Sequence, residues 1–183
     1  MLDHAQELFL RDGFSRVGMD DVADRAGASK ATLYRHFGSK DELFDAVLSR
    51  YFDRVVAGLD EVARHHGTSG EKVRAFVVRL TSELSGLGKG FWDDLRRSRY
   101  EKYQAITALR RRIVNDHLGA IIEEGQRSGE FRSDVPRSVV TTLIFSTVEQ
   151  LSTTPGSDLA SYSYGEIIEM VVRIAICGIK RVR

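Results

Sequence analysis

Cysteine, proline and long uncharged apolar runs are all scarce in this chain of 183 residues. Cys177 is the single cysteine, which excludes an internal disulfide and suits a reducing cytosol; its place in an apolar run reads as packing. Only two prolines punctuate the chain, and neither Asn-Gly hairpin signals nor alternating strand-like runs occur, so the expected fold is all-α. The most apolar stretch, Ile167 to Ile179, is interrupted by Glu169 and Arg173 and is too short and too charged to span a bilayer. No signal-peptide pattern opens the chain, and the expectation is a cytoplasmic protein without a membrane partner. A net charge of +1 excludes a general binder of nucleic acid or membrane, so any DNA contact must come from local charge placement.

Chemistry-bearing constellations are also missing. No Gly-rich phosphate loop, Ser-His-Asp set or paired carboxylates can be specified, so no catalytic residue and no cofactor is assigned, and the chain does not read as an enzyme. His65 and His66 adjoin each other with Glu61 four residues before His65, but adjacent side chains on a helix diverge. A solvated helix end is the better reading than a metal site.

What the chain does have is helix grammar. Leu2, Ala5, Leu8 and Phe9 form an amphipathic stripe that stops at Gly13. Gly18 can cap a second helix, whose first turn Asp20 and Asp21 favour. Val22, Ala23 and Ala26 share one face, Gly27 breaks the pattern, and Ser29 can cap a short third helix in which Leu33 and Phe37 point inward together. The opposite face of that helix offers Lys30, Ala31, Thr32, Tyr34, Arg35 and His36, and the window from Arg25 to Lys40 holds no acidic residue. Such a helix-turn-helix can meet phosphates and base edges.

Ser39 to Glu42 forms a capping box in which each side chain reaches the other's backbone amide, opening a long helix that runs to His65-His66-Gly67. Thr68 to Glu71 is a second box, and Gly86, Gly88 and Gly90 end the helix it starts. From Phe91 to Gln126 the period fits a short aromatic helix and then a long one. Asp134 and Pro136 open the next, a loop around Pro155-Gly156 follows, and Ser163 to Glu166 caps a last helix that is apolar around most of its circumference. About nine helices result, with boundaries good to about 2–4 residues.

The run from Ala5-x-x-Leu8-Phe9 through Gly13-Phe14, Met19-Asp20-Asp21-Val22-Ala23, Ala26-Gly27-Ala28-Ser29-Lys30-Ala31-Thr32-Leu33-Tyr34-Arg35-His36-Phe37 and Ser39-Lys40-Asp41-Glu42-Leu43 closely resembles the TetR family of one-component bacterial transcriptional regulators. Beyond about residue 47 the likeness is one of size, helix count and the Gly129-Glu130-Phe131-Arg132-Ser133-Asp134 loop. The resemblance implies a three-helix DNA-binding head at residues 1–46 joined by the long helix to a helical-bundle body at 47–183 for effector binding and dimerisation. It also implies that Lys30, Ala31, Thr32 and Tyr34 face the major groove with Arg35, that His36 and Lys40 hold phosphates, and that Ser29 completes the DNA-facing set.

In the body, Trp92, Arg99, Tyr103, His117, Phe145 and Glu149 are candidates for an effector pocket, being aromatic, apolar or isolated polar groups near apolar stripes. For any single one of them, ordinary core or surface is the blander reading. The last two helices carry more apolar surface than one body covers, and the resemblance implies a homodimer through that pair. The expected function is a ligand-responsive regulator, a repressor that binds a palindromic operator as a homodimer and is released by a small-molecule effector. The alternative is a helical ligand-binding or interaction protein that has lost sequence-specific DNA binding.

Overall fold

The computed structural model describes residues 1–153 and 162–180, so the expected loop at Pro155-Gly156 lies outside the described residues. Among the described residues there are nine helices and no strand. They are α1 (Leu2–Asp12), α2 (Met19–Ala26), α3 (Lys30–Phe37), α4 (Lys40–Arg64), α5 (Ser69–Leu84), α6 (Lys89–Ser98), α7 (Tyr100–Arg127), α8 (Arg137–Thr153) and α9 (Tyr164–Ile179). No helix among them is long and apolar enough to cross a membrane.

The ends follow local chemistry. Gly13 (φ 90°) and Gly27 (φ 62°) close α1 and α2 in the positive-φ region that favours glycine. At the start of α2, Gly18 has no side chain to offer, so only the return half of a capping box forms, its N–H donating to Asp21 Oδ2 at 2.6 Å. The boxes at Thr68–Glu71 and Ser163–Glu166 are reciprocal: each Glu carboxylate accepts from the cap residue's amide, at 2.8 and 2.7 Å. Each cap hydroxyl accepts in turn from the Glu amide, at 3.2 and 3.3 Å. At Ser39 the box is half as expected. Ser39 Oγ accepts from Glu42 N at 3.1 Å, but the Glu42 carboxylate takes the Ser39 hydroxyl at 3.2 Å, because the Ser39 amide already donates to Phe37 O. The helix that starts there is about 37 Å long at 1.5 Å per residue.

Contacts divide the chain into two compact units that interleave along the sequence. The first comprises Met1–Val56 and Ser85–Thr107, the second Ala57–Leu84 and the described part of Ala108–Arg183. In the first, α1 packs on α6 and α2, and α2 on α3. Its core is an aromatic cluster: Phe44 meets Phe9 at 5.2 Å, Phe14 at 5.1 Å and Phe91 at 6.3 Å between centroids. Two main-chain hydrogen bonds and one close approach tie the stretch after Ser85 onto α1 and the turn that follows it. Gly88 N donates to Leu10 O at 2.9 Å, Ser15 N donates to Asp94 Oδ2 at 2.9 Å, and Gly88 leaves no room for a Cβ, which would lie 2.2 Å from Arg11 O.

In the second unit α9 packs on α8 and α5. Ile167, Ile168, Val171, Val172, Ile176 and Ile179 of α9 are buried, while Ile174 is 72% exposed. Glu130 caps α5 from a distance, its carboxylate accepting from Ser69 N at 2.8 Å and Gly70 N at 2.9 Å. One turn along α5, Lys72 donates to both oxygens of Glu124. Arg132 N donates to Ile179 O at 2.8 Å, closing the Gly129–Asp134 loop onto the end of α9. Two expectations for single residues are corrected here. Cys177 is exposed rather than packed, since it follows Ile174 by one turn on the uncovered side of α9. Phe37, the last residue of α3, is half-buried where Leu33 is fully buried.

Candidate nucleic-acid interface

Helix α3 is eight residues long and stands on one buried side chain, Leu33, at 0% exposure. Ser29 fixes its first turn: Ser29 Oγ accepts from Thr32 N at 3.1 Å and shares a 2.8 Å hydrogen bond with Thr32 Oγ1. Helical spacing then turns Lys30, Ala31, Tyr34 and Arg35 outward, and all four are exposed along with Ser29 and His36. Tyr34, 42% exposed, is the large aromatic on this face. The face offers donors for guanine, a phenol and methyl groups for thymine, in the short helix that a helix-turn-helix lays in the major groove.

Two of the expected contacts are already engaged within the protein. Lys30 Nζ donates to Asp20 Oδ2 of α2 at 2.8 Å, and that carboxylate raises the lysine's pKa. Lys40, at the first turn of α4, places Nζ 4.1 Å from the centroid of the Phe14 ring. Burial and then the Arg99 charge push the Lys40 amine below its ordinary value. The Asp20 partner was missed because the ion pair joins α2 to α3 across the turn, a placement that helical period does not signal.

The six residues expected to line an effector pocket divide equally between the two units. Trp92, Arg99 and Tyr103 belong to the first unit and His117, Phe145 and Glu149 to the second. Arg99 lies on the Phe14 ring, Cζ to centroid 3.6 Å, and pairs with Asp41. Trp92 meets Phe91 edge-on at 4.9 Å, and Tyr103 stacks with Tyr100 at 6.1 Å. His117 Nδ1 donates to Ile113 O at 3.0 Å, with Nε2 3.1 Å from Asp60 Oδ1.

Phe145 and Glu149 do come together, one turn apart on α8, around a residue the sequence reading passed over. Arg110 of α7 pairs with Glu149 at 2.8 Å, touches Tyr164 Oη, and lies 5.8 Å from the Phe145 centroid. Tyr164 donates to Glu149 at 3.0 Å, and burial pushes its phenol above the usual range. The signal for Arg110 was available: Ile106 and Ile113 are buried, and Arg110 falls between them at spacings of four and three, on the inward stripe.

A short capped helix presenting exposed polar and aromatic side chains, set after a turn on a second helix, is the arrangement of a helix-turn-helix. Two family models place it. "Bacterial regulatory proteins, tetR family" matches residues 1–47 and "Tetracyclin repressor-like, C-terminal domain" matches residues 66–153. The chain belongs to the TetR family of transcriptional regulators.

Among relatives, the transcriptional activator FasR of Mycolicibacterium smegmatis is 44% identical over 91 residues, covering 50% of this chain and 42% of that protein. The fatty acid metabolism regulator protein of Bacillus subtilis is 23% identical over 98% of this chain and 93% of its own length. The structure of FadR from Bacillus subtilis in complex with stearoyl-CoA superposes with a TM-score of 0.69 at 21% identity, covering 97% of each chain. At that identity the likeness is one of fold.

Proposed function

We propose that this chain is a ligand-responsive repressor that binds a palindromic operator as a homodimer and leaves it when a small-molecule effector binds. DNA binding falls to residues 1–46, and effector binding and dimerisation to residues 47–183. The observation that carries the reading is α3: Leu33 is its one buried anchor, and Lys30, Ala31, Tyr34, Arg35 and His36 are all turned outward on the capped second element of a helix-turn-helix. Ser29 and Thr32 set the helix start, and Lys40 supplies the phosphate anchor at the beginning of α4.

The dimer is supported by α8 and α9. They pack together yet leave Val139, Leu143 and Ile174 at 53%, 58% and 72% exposure, apolar side chains that a second copy would cover. In a twofold dimer the two α3 helices enter successive major grooves about 34–36 Å apart.

The effector we infer carries a long apolar chain. The relatives named for fatty-acid metabolism and for a stearoyl-CoA complex motivate it, and Phe145 with the Arg110–Glu149–Tyr164 group supplies an apolar wall beside a few orienting polar atoms. The effector must bind the DNA-incompatible conformation better, since equal affinity for both would shift nothing.

Fluorescence anisotropy with duplexes from the DNA flanking the chain's own gene tests the first part. Sequence-preferring, salt-dependent binding is expected. Lys40→Ala should lower the salt slope by about 1 for every sequence, whereas Tyr34→Ala and Lys30→Ala should change sequence preference. Unchanged binding in all three variants would remove the assignment. Adding stearoyl-CoA should then release the DNA while free coenzyme A does not; indifference to both would count against an acyl effector.

A further inference from the structure

The Phe14 ring carries two cations, one from each of the two sequence segments of the first unit. Lys40 Nζ stands 4.1 Å from its centroid and Arg99 Cζ 3.6 Å. Phe14 itself is buried, packed on Phe9 and Phe44. Arg99 is the residue between α6 and α7, with φ −145° and ψ 55°, where neither helix continues. Its guanidinium is fixed by Asp41, the residue after Lys40, and one turn further on Lys102 pairs with Asp45. The α6–α7 junction is therefore strapped along the first two turns of α4, and its leading cation shares an aromatic platform with Lys40.

We propose that Arg99 is a positioning residue for DNA binding: by holding the Phe14 platform and Asp41 it fixes the Lys40 ammonium, so that the α6–α7 junction sets how well the start of α4 engages phosphate. The proposal rests on the reading of Lys40 as a phosphate anchor. It assigns Arg99 to the head instead of to an effector pocket, and it gives the segment Ser85–Thr107 a function besides packing. An ammonium already held over a ring loses less freedom when a phosphate arrives than one on a free four-carbon stem. Without Arg99 the ring stays packed on Phe9 and Phe44, but its second cation and the partner of Asp41 are gone, and the Lys40 ammonium is no longer confined beside them.

The test compares Arg99→Gln, Arg99→Lys, Lys40→Ala and the Arg99→Gln/Lys40→Ala double variant in full-length protein. DNA affinity is measured from 50 to 200 mM salt. The resonances of the Lys40 ε-methylene protons, displaced upfield by the Phe14 ring, are followed in the free protein. Arg99→Gln should lose that displacement and bind DNA with a slope shallower by about 0.9, a loss of about 3.5-fold in salt sensitivity across that range. Arg99→Lys should restore part of both, and in the Lys40→Ala background Arg99→Gln should cost nothing further.

An Arg99→Gln variant whose Lys40 resonances do not move would overturn the proposal. So would one that binds DNA more tightly, or one whose loss is the same with and without Lys40. A Lys40→Ala variant that binds DNA like the parent would fail the phosphate-anchor reading instead, leaving the placement of Lys40 by Arg99 to be decided by the spectrum. Should Arg99→Gln not fold, Asp41→Asn removes the carboxylate that holds Arg99 and carries the same comparison.

Discussion

Ile174→Ala should weaken the proposed α8–α9 dimer without unfolding the protomer, and the size of the effect can be worked from exposure. Fully burying an isoleucine side chain stabilises by about 1.5–3 kcal/mol. Ile174 is 72% exposed in the single chain, so covering it in a dimer is worth about 1–2 kcal/mol per copy. Twofold symmetry counts the residue twice, giving about 2–4 kcal/mol per dimer, which is a rise of roughly 30- to 700-fold in the dissociation constant at 1.4 kcal/mol per decade. Leu143→Ala, at 58% exposure, should follow closely behind.

Sedimentation equilibrium over a range of concentrations reads the constant directly. Because both side chains are mostly exposed in the protomer, the unfolding free energy of the monomeric fraction should change by less than about 0.5 kcal/mol. Cys177, one turn beyond Ile174 and exposed, adds an independent readout: alkylation of its thiol should be slow at concentrations where the parent is dimeric and fast in Ile174→Ala. An unchanged dissociation constant in both variants, or alkylation that ignores concentration, would refute the α8–α9 interface.

Three other perturbations follow from geometry inside each unit. Gly88→Ala should destabilise the protein by about 1–3 kcal/mol in denaturant unfolding. Its Cβ would sit 2.2 Å from the Arg11 carbonyl oxygen, whereas a Cβ at Gly86 meets nothing within 4 Å, so Gly86→Ala is the control that should not share the effect. Glu71 and Glu166 are held below the usual carboxylate range by hydrogen bonds from their cap residues, Thr68 and Ser163. A depressed carboxylate contributes stability that is complete above the ordinary value of 4.5 and lost as pH falls through the folded value, so the Glu71→Gln/Glu166→Gln variant should show a flatter acid limb in its melting temperature. Acid limbs parallel to the parent's would contradict this. Arg110→Met leaves Glu149, at 19% side-chain exposure, without its guanidinium and should cost about 2–4 kcal/mol; adding Glu149→Leu should recover most of it, and additive losses would refute the account of the pair.

Much of the fold could be read from the chain because the signals are local. Thr68 with Glu71 and Ser163 with Glu166 lie three residues apart, and the glycines at 13 and 27 mark ends where backbone must turn left-handed. The break between α6 and α7 was legible only as a change in apolar period, since no glycine or proline stands at Ser98–Arg99. The outward face of α3 could be read for the same reason as the caps: eight residues with Leu33 inward fix where the others point.

Arg99 illustrates the opposite case. It meets Phe14 across 85 positions of sequence, a pairing set by the docking of α6 on α1 that no period or motif announces. Cys177 misled through composition: a helix apolar on most sides hides which side stays uncovered until its neighbours α5 and α8 are in place. Asp20 looked like a helix-dipole residue and is one, yet its carboxylate also holds Lys30 on the exposed face of α3.

The central claim is that the α3 face reads a twofold-symmetric DNA sequence. Selection of bound duplexes from a random pool, run in parallel with the parent and with Tyr34→Ala, tests it most directly. The account predicts that the parent enriches a palindrome whose half-sites are centred about one helical turn, 34–36 Å, apart, and that Tyr34→Ala enriches an altered half-site or none. A parent pool that stays random, or a palindrome recovered unchanged by Tyr34→Ala, would contradict it.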